Sequence, residues 1–183
     1  ALELTPNSSW GHYARALAYW FLYDVDSSLS SFEAARLLNP NDTAIAADLG
    51  QRYAMLGDWE RAVPLLEESY ARNSAQPGGY RIGLFLYHYT HGRYESALLQ
   101  ARKMGSQVTY GSVAVAMAAA KLGHTDEAAK AIKRILALDP HYGDHLIEDL
   151  EKRSLRPELI RMVVDGLRDA GLPGLDTEQA RKR

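Results

Sequence analysis

One short stretch, GDWERA at residues 57–62, indicates the fold because it returns twice further along the chain. The related stretches are GRYESA at 92–97 and GHTDEA at 123–128, and the three leading glycines are spaced by 35 and 31 residues. Self-similarity at a nearly fixed period of this length is typical of proteins built from stacked structural repeats. We therefore expect an array of repeats rather than a single irregular core.

A second recurring pattern centres on proline and supports the same period. It comprises ALELTPNS at 1–8, ARLLNPND at 35–42 and LALDPHY at 136–142. Pro6 and Pro40 lie 34 residues apart, and Pro140 lies close to three further periods downstream. Because proline stops a helix, each of these stretches indicates the end of a helix.

The segments on either side of Gly57 both have the apolar spacing of an α-helix. Residues 43–56 and 59–72 each carry apolar side chains at steps of three and four. Gly57 suits the left-handed residue that ends a helix, and Asp58 suits the N-cap of the next one. Pro64 removes one backbone donor from the second helix, where we expect slight strain. Each repeat is thus predicted to be helix, turn, helix.

These repeats resemble the tetratricopeptide repeat (TPR) family. In the second repeat the resemblance is carried by Leu49, Gly50, Tyr53, Gly57, Trp59, Ala62 and Leu66, and in the fourth by Val115, Ala116, Ala119, Gly123, Ala128, Ile132 and Pro140. The first repeat lacks the turn glycine and has Ser28 where alanine is usual, and the first helix of the third has an altered length or register. The resemblance implies an all-α fold, a right-handed TPR α-solenoid of about four helix-turn-helix repeats with C-terminal capping helices.

The expected organisation follows from these patterns. The repeat array covers 1–142, with the end of a truncated repeat at 1–8 and repeats at about 9–42, 43–77, 78–108 and 109–142. Two capping helices are expected within 143–172, the second with Pro157 in its first turn and Gly171 at its end. Residues 173–183 are polar and are expected to form a flexible tail.

Composition excludes several classes of function. The net charge of −2 lacks the basic excess that a nucleic-acid binder needs to meet phosphates. The sequence contains no cysteine, no apolar run long enough to span a membrane and no secretory signal pattern, so we expect a cytoplasmic protein without membrane contact. No phosphate-binding loop and no Gly-x-Ser-x-Gly motif is present. We therefore expect neither a catalytic activity nor a cofactor.

Two pairs of histidines have spacings that could place both rings on one helical face. His88 and His91 are three residues apart, and His141 and His145 are four apart with Asp144 between them. A metal ion needs three or four converging ligands, whereas each helix offers no more than two. We favour a wet helix end for His88 and His91. For His141 and His145 we favour a structural role, with Asp144 as an N-cap. His141 and His145 remain weak metal candidates.

Aromatic residues suggest where a partner binds. Tyr and Trp, which number 11 and 3, combine apolar area with a polar tip and are common in interaction surfaces. The TPR resemblance implies a concave surface formed by the first helix of each repeat, with Tyr19 as a core position. The candidate contact residues there are Trp10, Tyr13, Leu17, Trp20, Gln51, Tyr110 and Met117. The alternative is that these side chains pack against a neighbouring repeat.

The leading functional hypothesis is a non-catalytic scaffold that binds a protein or peptide partner in this partly aromatic groove. Some TPR proteins grip a carboxylate with Lys, Asn and Arg, but the corresponding positions here hold Tyr13, Leu17, Ala47 and Gln51, so we exclude that subtype. The second hypothesis is a regulatory or dimerisation segment. It rests on the repeat units and on the ending VVDGLRDAGLP at 163–173. Together these resemble C-terminal TPR segments of bacterial signalling proteins with an upstream cyclase or DNA-binding domain.

The opening stretch raises the possibility of self-association. If ALELTPNS is the last turn of a repeat, Leu2 and Leu4 are core residues whose partner helices are missing. Either the parent protein continues upstream or a second copy covers this end. The aromatic surface around Trp10, Tyr13 and Trp20 is then the expected shared surface.

Overall fold

The computed structural model describes residues 7–105 and 109–175, and within these ranges it contains ten α-helices and no β-strand. The helices are α1 (Ser9–Phe21), α2 (Val25–Leu38), α3 (Thr43–Met55), α4 (Trp59–Arg72), α5 (Ile82–Thr90), α6 (Tyr94–Met104), α7 (Thr109–Lys121), α8 (Thr125–Leu138), α9 (Tyr142–Lys152) and α10 (Pro157–Asp169). The predicted all-α helical-repeat fold is confirmed. Within the two described ranges, no helix is both long and apolar enough to cross a membrane.

The helices fall into two compact units, and the division lies after Gln76. In the first unit α1 packs against α2 and α3 packs against α4. In the second unit α5 packs against α6 and α7 against α8, and α9 and α10 follow. Each unit therefore contains two helix pairs of the kind that the repeats predict. The predictions for Leu2, Leu4 and Pro6 lie outside the described residues.

The glycine turns have the predicted backbone conformation. Gly57, Gly92 and Gly123 have φ values of 72°, 69° and 73°, which is the left-handed region that glycine enters at no steric cost. Asp58 caps α4, since its carboxylate accepts a hydrogen bond of 3.2 Å from the amide of Arg61. The predicted helix stop and start are therefore both confirmed at this turn.

The first turn reaches the same conformation without glycine. Tyr23 has a φ of 60° and stands directly before the N-cap Asp24, just as Gly57 stands before Asp58. Asp24 accepts a hydrogen bond of 3.1 Å from the amide of Ser27. A bulky residue in the left-handed region is uncommon and costs free energy, so this turn is strained.

The core of the first unit explains the unusual serine of the first repeat. Ser28 is fully buried, and its hydroxyl donates a hydrogen bond of 2.8 Å to the carbonyl oxygen of Ala16. The hydroxyl is therefore satisfied where alanine is usual. Tyr53, one of the residues that carry the TPR resemblance, is buried between the helices and donates a hydrogen bond to Glu33. Burial, together with this hydrogen bond, raises the pKa of Tyr53 to about 12.

The third helix pair departs from the others at its start. A 3-10 turn, Gly78–Arg81, leads directly into α5, which has 9 residues. This accounts for the altered length that the sequence indicates for the first helix of the third repeat. Part of the connection from α6 to α7 lies outside the described residues.

The last helix, α10, belongs to the second unit and packs back against α7 and α5. It begins at Pro157, as predicted. Its buried side chains are Leu159, Ile160, Val163, Val164 and Leu167. At the centre of the contact, a side chain added at Gly166 would lie 2.7 Å from the Tyr89 hydroxyl oxygen and 2.9 Å from the Met117 methyl carbon. A larger residue at this position would force the Tyr89 or Met117 side chain to shift.

The segment after α10 packs back onto the start of α9. Gly171 has a φ of 87°, and the following Leu172 is buried, as is Leu175. Pro173 lies directly against Gly143 in the first turn of α9. The remainder of the predicted tail, from residue 176 onward, lies outside the described residues.

One predicted helix cap is wrong. Asp144 lies within the first turn of α9, and His141 occupies the N-cap position without a side-chain capping bond. The helix starts earlier than expected because residues 140–142 already form its entry turn.

The strained turn provides a test of this account. Replacing Tyr23 by glycine should raise the free energy of unfolding by about 0.5–1 kcal/mol, because relief of left-handed strain outweighs the added chain entropy. Chemical denaturation measures the change. The matched reverse substitution, Gly57→Tyr, should lower stability by about 1–2 kcal/mol. A Tyr23→Gly variant that unfolds more readily than the wild-type chain would contradict the assigned strain.

Candidate functional site

The candidate site lies on the surface formed by the first helix of each pair, which we call the A-helix face. In the first unit this face is formed by α1 and α3, and in the second unit by α5 and α7. The two faces are described separately because they belong to different units.

In the first unit, α1 presents three candidate residues along one stripe. Trp10, Tyr13 and Leu17 follow each other at steps of three and four, which places them on one side of the helix. Trp10 is 59% exposed, while Tyr13 and Leu17 are half-buried. The Trp10 ring meets the Tyr13 ring edge to face, with centroids 5.2 Å apart. A partner can therefore reach an ordered aromatic pair.

Tyr13 connects α1 to α3 through a buried carboxylate. Its hydroxyl donates a hydrogen bond of 2.6 Å to Asp48, which is buried and lies 3.8 Å from the guanidinium of Arg52. The guanidinium carbon of Arg52 also lies 4.8 Å from the centroid of the Trp20 ring. The sequence pattern places Gln51 on this face but assigns no role to Arg52. The four-residue spacing of Asp48 and Arg52 is the signal that could have found it.

The two tryptophan candidates of α1 differ in their exposure to a partner. Trp20 is only 4% exposed and is covered by Arg52, so its side chain packs within the chain. Its neighbour Tyr19, expected in the core, is instead half-buried. Gln51 lies on α3 one turn beyond Asp48 and is half-buried.

In the second unit, the A-helix face is covered by α10. Met117 is fully buried, and Tyr89 is buried beside it below Gly166. Burial raises the pKa of the Tyr89 hydroxyl, and the carboxylates of Asp165 and Asp169 act in the same direction. Met117 is a predicted partner contact, and α10 of the same chain occupies that place.

The last aromatic candidate, Tyr110, lies at the start of α7. It is exposed, and its hydroxyl oxygen would lie 3.1 Å from a side chain added at Gly79 in the 3-10 turn. Of the predicted contact residues, the structure thus brings together Trp10 and Tyr13 directly. Trp20 and Met117 are packed inside the chain.

The second histidine pair forms ion pairs with carboxylates. His145 lies between Asp139, at 2.6 Å from its Nε2, and Asp149, at 3.2 Å from its Nδ1. His141 meets Asp144 at 3.0 Å. The hydrogen bond to Asp139 raises the pKa of His145. Because Asp139 caps the end of α8, this cluster fastens α9 to α8.

Within residues 7–105 and 109–175, no group of three or more His, Cys, Asp or Glu side chains is arranged to hold a metal ion. His145 uses both ring nitrogens on carboxylates, which favours its protonated form. The geometry is that of a charged clamp between two helices.

Comparison with known proteins finds matches for the structure but none for the sequence. No protein-family model matches the sequence, and no curated protein matches it. Solved structures do match. They include YrrB, described as a TPR protein with an unusual peptide-binding site, at 16% identity and a TM-score of 0.63, covering 100% of this chain and 96% of that one.

Two further solved structures are similar to this chain. Pseudomonas aeruginosa PilF is 14% identical with a TM-score of 0.64, covering 89% of this chain and 76% of that one. A thermophilic TPR protein of Thermus thermophilus is 20% identical with a TM-score of 0.61, covering 92% of this chain and 94% of that one. The chain is therefore a helical-repeat protein. Its fold is that of tetratricopeptide repeat proteins.

The His145 clamp predicts a pH-dependent contribution to stability. Its pKa is raised in the folded state, so the contribution is present below about pH 6.5 and is lost as the pH rises through the folded-state value. The loss of stability in His145→Gln should be larger at about pH 5.5 than at about pH 8.5. The cluster is partly exposed, so we expect a difference of roughly 0.5 kcal/mol or less.

Urea denaturation at both pH values measures this difference. In an Asp139→Asn background the pH dependence of the His145→Gln effect should shrink, because the facing carboxylate is gone. A destabilisation by His145→Gln that grows with rising pH would contradict stabilisation by the protonated form of His145.

Proposed function

We propose that the chain is a non-catalytic interaction module that binds an amphipathic helix of a partner protein on the A-helix face of its first unit. The observation that carries this proposal is the packing of α10 on the A-helix face of the second unit. There, an amphipathic helix already lies across α5 and α7 through an apolar stripe.

The two A-helix faces correspond in sequence position. Counted from the turn residues Tyr23 and Gly92, Trp20 of α1 matches Tyr89 of α5. Counted from Gly57 and Gly123, Gln51 of α3 matches Met117 of α7. Tyr89 and Met117 are the residues that Gly166 of α10 approaches. Of the two matching positions in the first unit, Gln51 lies where a helix would dock, and Trp20 lies beneath Arg52.

The chemistry of the first face indicates the partner. Trp10, Tyr13 and Leu17 supply apolar contact area, and aromatic anchors of this kind contribute strongly to interfaces. Asp48 is already held by Tyr13 and Arg52, so it does not demand a cation from the partner. An amphipathic helix with an apolar stripe fits such a surface. The printed description of YrrB, with its peptide-binding site, is consistent with this class of function.

The regulatory alternative rests on the ending VVDGLRDAGLP at 163–173. In the structure this ending forms the second half of α10 and the turn after it. Its buried residues Val163, Val164, Leu167 and Leu172 pack within the chain. Because this role of the ending is structural, we retain the binding module as the proposal.

The proposal is tested with a helical peptide selected from a phage-displayed library of amphipathic helices against the wild-type chain. Leu17→Lys places a charge on the proposed face, and Trp10→Ala removes its most exposed aromatic ring. Each substitution should weaken binding of the peptide at least about tenfold, which is the usual consequence of losing a central anchor. Fluorescence anisotropy of the labelled peptide measures the affinity.

Leu37→Lys is the matched control, since Leu37 is 84% exposed on α2 and the same change is made there outside the A-helix face. It should leave the affinity unchanged, and circular dichroism checks that all variants fold. Undiminished binding by folded Leu17→Lys, or loss of binding only in Leu37→Lys, would refute the assigned face.

A further inference from the structure

A cavity of about 410 Å³ opens in the second unit between the second helices of its two pairs. Helix α6 forms one wall with Ala101 and Arg102, and α8 forms the other. The floor is formed by Gly111, Ser112 and Val115 of α7. The small residues on the floor leave space for a ligand between the helices.

The wall formed by α8 carries two cations that face the cavity. Lys130 and Arg134 are four residues apart, which places them one above the other on the same side of α8, and both line the cavity. Within the described part of the chain, neither forms a hydrogen bond or an ion pair. The opposite cation, Arg102, is already neutralised by two hydrogen bonds of 2.9 and 2.7 Å to Glu127. The cavity therefore has two uncompensated positive charges.

The floor contains a buried polar atom that lacks a partner. Ser112 is 2% exposed, and its hydroxyl oxygen is buried without a hydrogen-bond partner among the residues that the structure describes. A buried hydroxyl is normally satisfied, and leaving it unpaired is unfavourable. Ser112 lines the cavity, and rotation of its side chain would bring the hydroxyl to an acceptor bound there.

The corresponding groove of the first unit, between α2 and α4, has a different charge pattern. It has a volume of about 600 Å³. Glu33 and Arg61 face each other across it at 4.0 Å. In this pair the acidic residue takes the position of Arg102 and the basic residue takes the position of Glu127. The positions that match Lys130 and Arg134 hold Pro64 and Glu68. Glu68 is acidic and is paired with two arginines. Of these two grooves, the one in the second unit therefore carries the uncompensated positive charge.

We propose that the cavity between α6 and α8 binds a phosphate group. A phosphate monoester carries a charge of about −1.5 to −2 at neutral pH, which matches the two free cations. The arginine fork can bind two phosphate oxygens at once, and the ammonium acts as a point charge beside it. Ser112 lies on α7 and the two cations lie on α8, so an anion in the cavity would be approached from two helices. A carboxylate carries a single negative charge and would leave one of the two cations uncompensated.

The site is independent of the proposed helix-binding face. None of its residues lies among Trp10, Tyr13, Leu17 and Gln51, and it belongs to the other unit. Failure of one proposal therefore leaves the other standing.

The test uses the full chain with two probes, inorganic phosphate and O-phosphoserine, and with serine as the comparison that lacks the phosphate. Amide signals of Gly111 and Ser112 report binding in NMR titrations. Lys130→Ala and Arg134→Ala should each weaken phosphate binding about fivefold to tenfold, as expected for a lost charge-assisted contact. Lys133→Ala is the matched control, because it removes an exposed cation of α8 that does not line the cavity.

The remaining outcomes show whether the bound phosphate is carried by a peptide or is free, and whether phosphate binds at all. Tighter binding of O-phosphoserine than of inorganic phosphate identifies a peptide-borne group, and equal binding identifies free phosphate. Ser112→Ala should weaken binding about threefold without lowering stability, because it removes an unpaired buried hydroxyl. No shift at Gly111 and Ser112 with either probe, or an equal loss in Lys133→Ala and Lys130→Ala, would overturn the proposal.

Discussion

The close approach of α10 to α5 and α7 is the contact on which the arrangement of the second unit depends. It is possible because position 166 has no side chain, so the helix backbone can rest on the Tyr89 hydroxyl and the Met117 side chain. The apolar stripe of α10 then covers α7. At the end of the contact, Lys121 and Asp169 form an ion pair of 2.6 Å. Apolar burial supplies the main stabilisation, and the partly exposed ion pair adds little to it.

This contact gives the two A-helix faces different roles. In the second unit the face is a core, because the chain supplies its own amphipathic helix. In the first unit the corresponding face keeps Trp10 exposed and holds Tyr13 in place through Asp48. A repeat protein exposes the same kind of surface at each repeat, so one surface can be closed while another stays accessible. The proposed binding function follows from this difference.

Much of the fold could be predicted from local signals. The recurring glycines and Asp58 determine turn and cap conformations through backbone sterics and one hydrogen bond, and both act within a few residues. Proline at 157 marks a helix start for the same reason. The helix pairs and their order were therefore accessible from the sequence.

The rest depends on contacts between distant residues. Met117 fits the pattern of a binding surface, and only the return of α10 makes it a core residue. Trp20 fits the same pattern but is covered by Arg52. Tyr23 adopts a glycine conformation that its side chain disfavours, so local preference predicts no turn there. The cation-lined cavity likewise requires α6, α7 and α8 to be assembled before Lys130, Arg134 and Ser112 share a site.

The central claim is that one A-helix face is closed by α10 while the other is open. Hydroxyl-radical footprinting of the full chain tests both halves in one experiment, since oxidation of methionine and tryptophan follows their exposure. Met162, which is half-buried, serves as the internal reference for Met117. The account predicts rapid oxidation of Trp10 and strong protection of Met117 relative to Met162. Oxidation of Met117 as fast as that of Met162, or protection of Trp10 equal to that of Trp20, would contradict it.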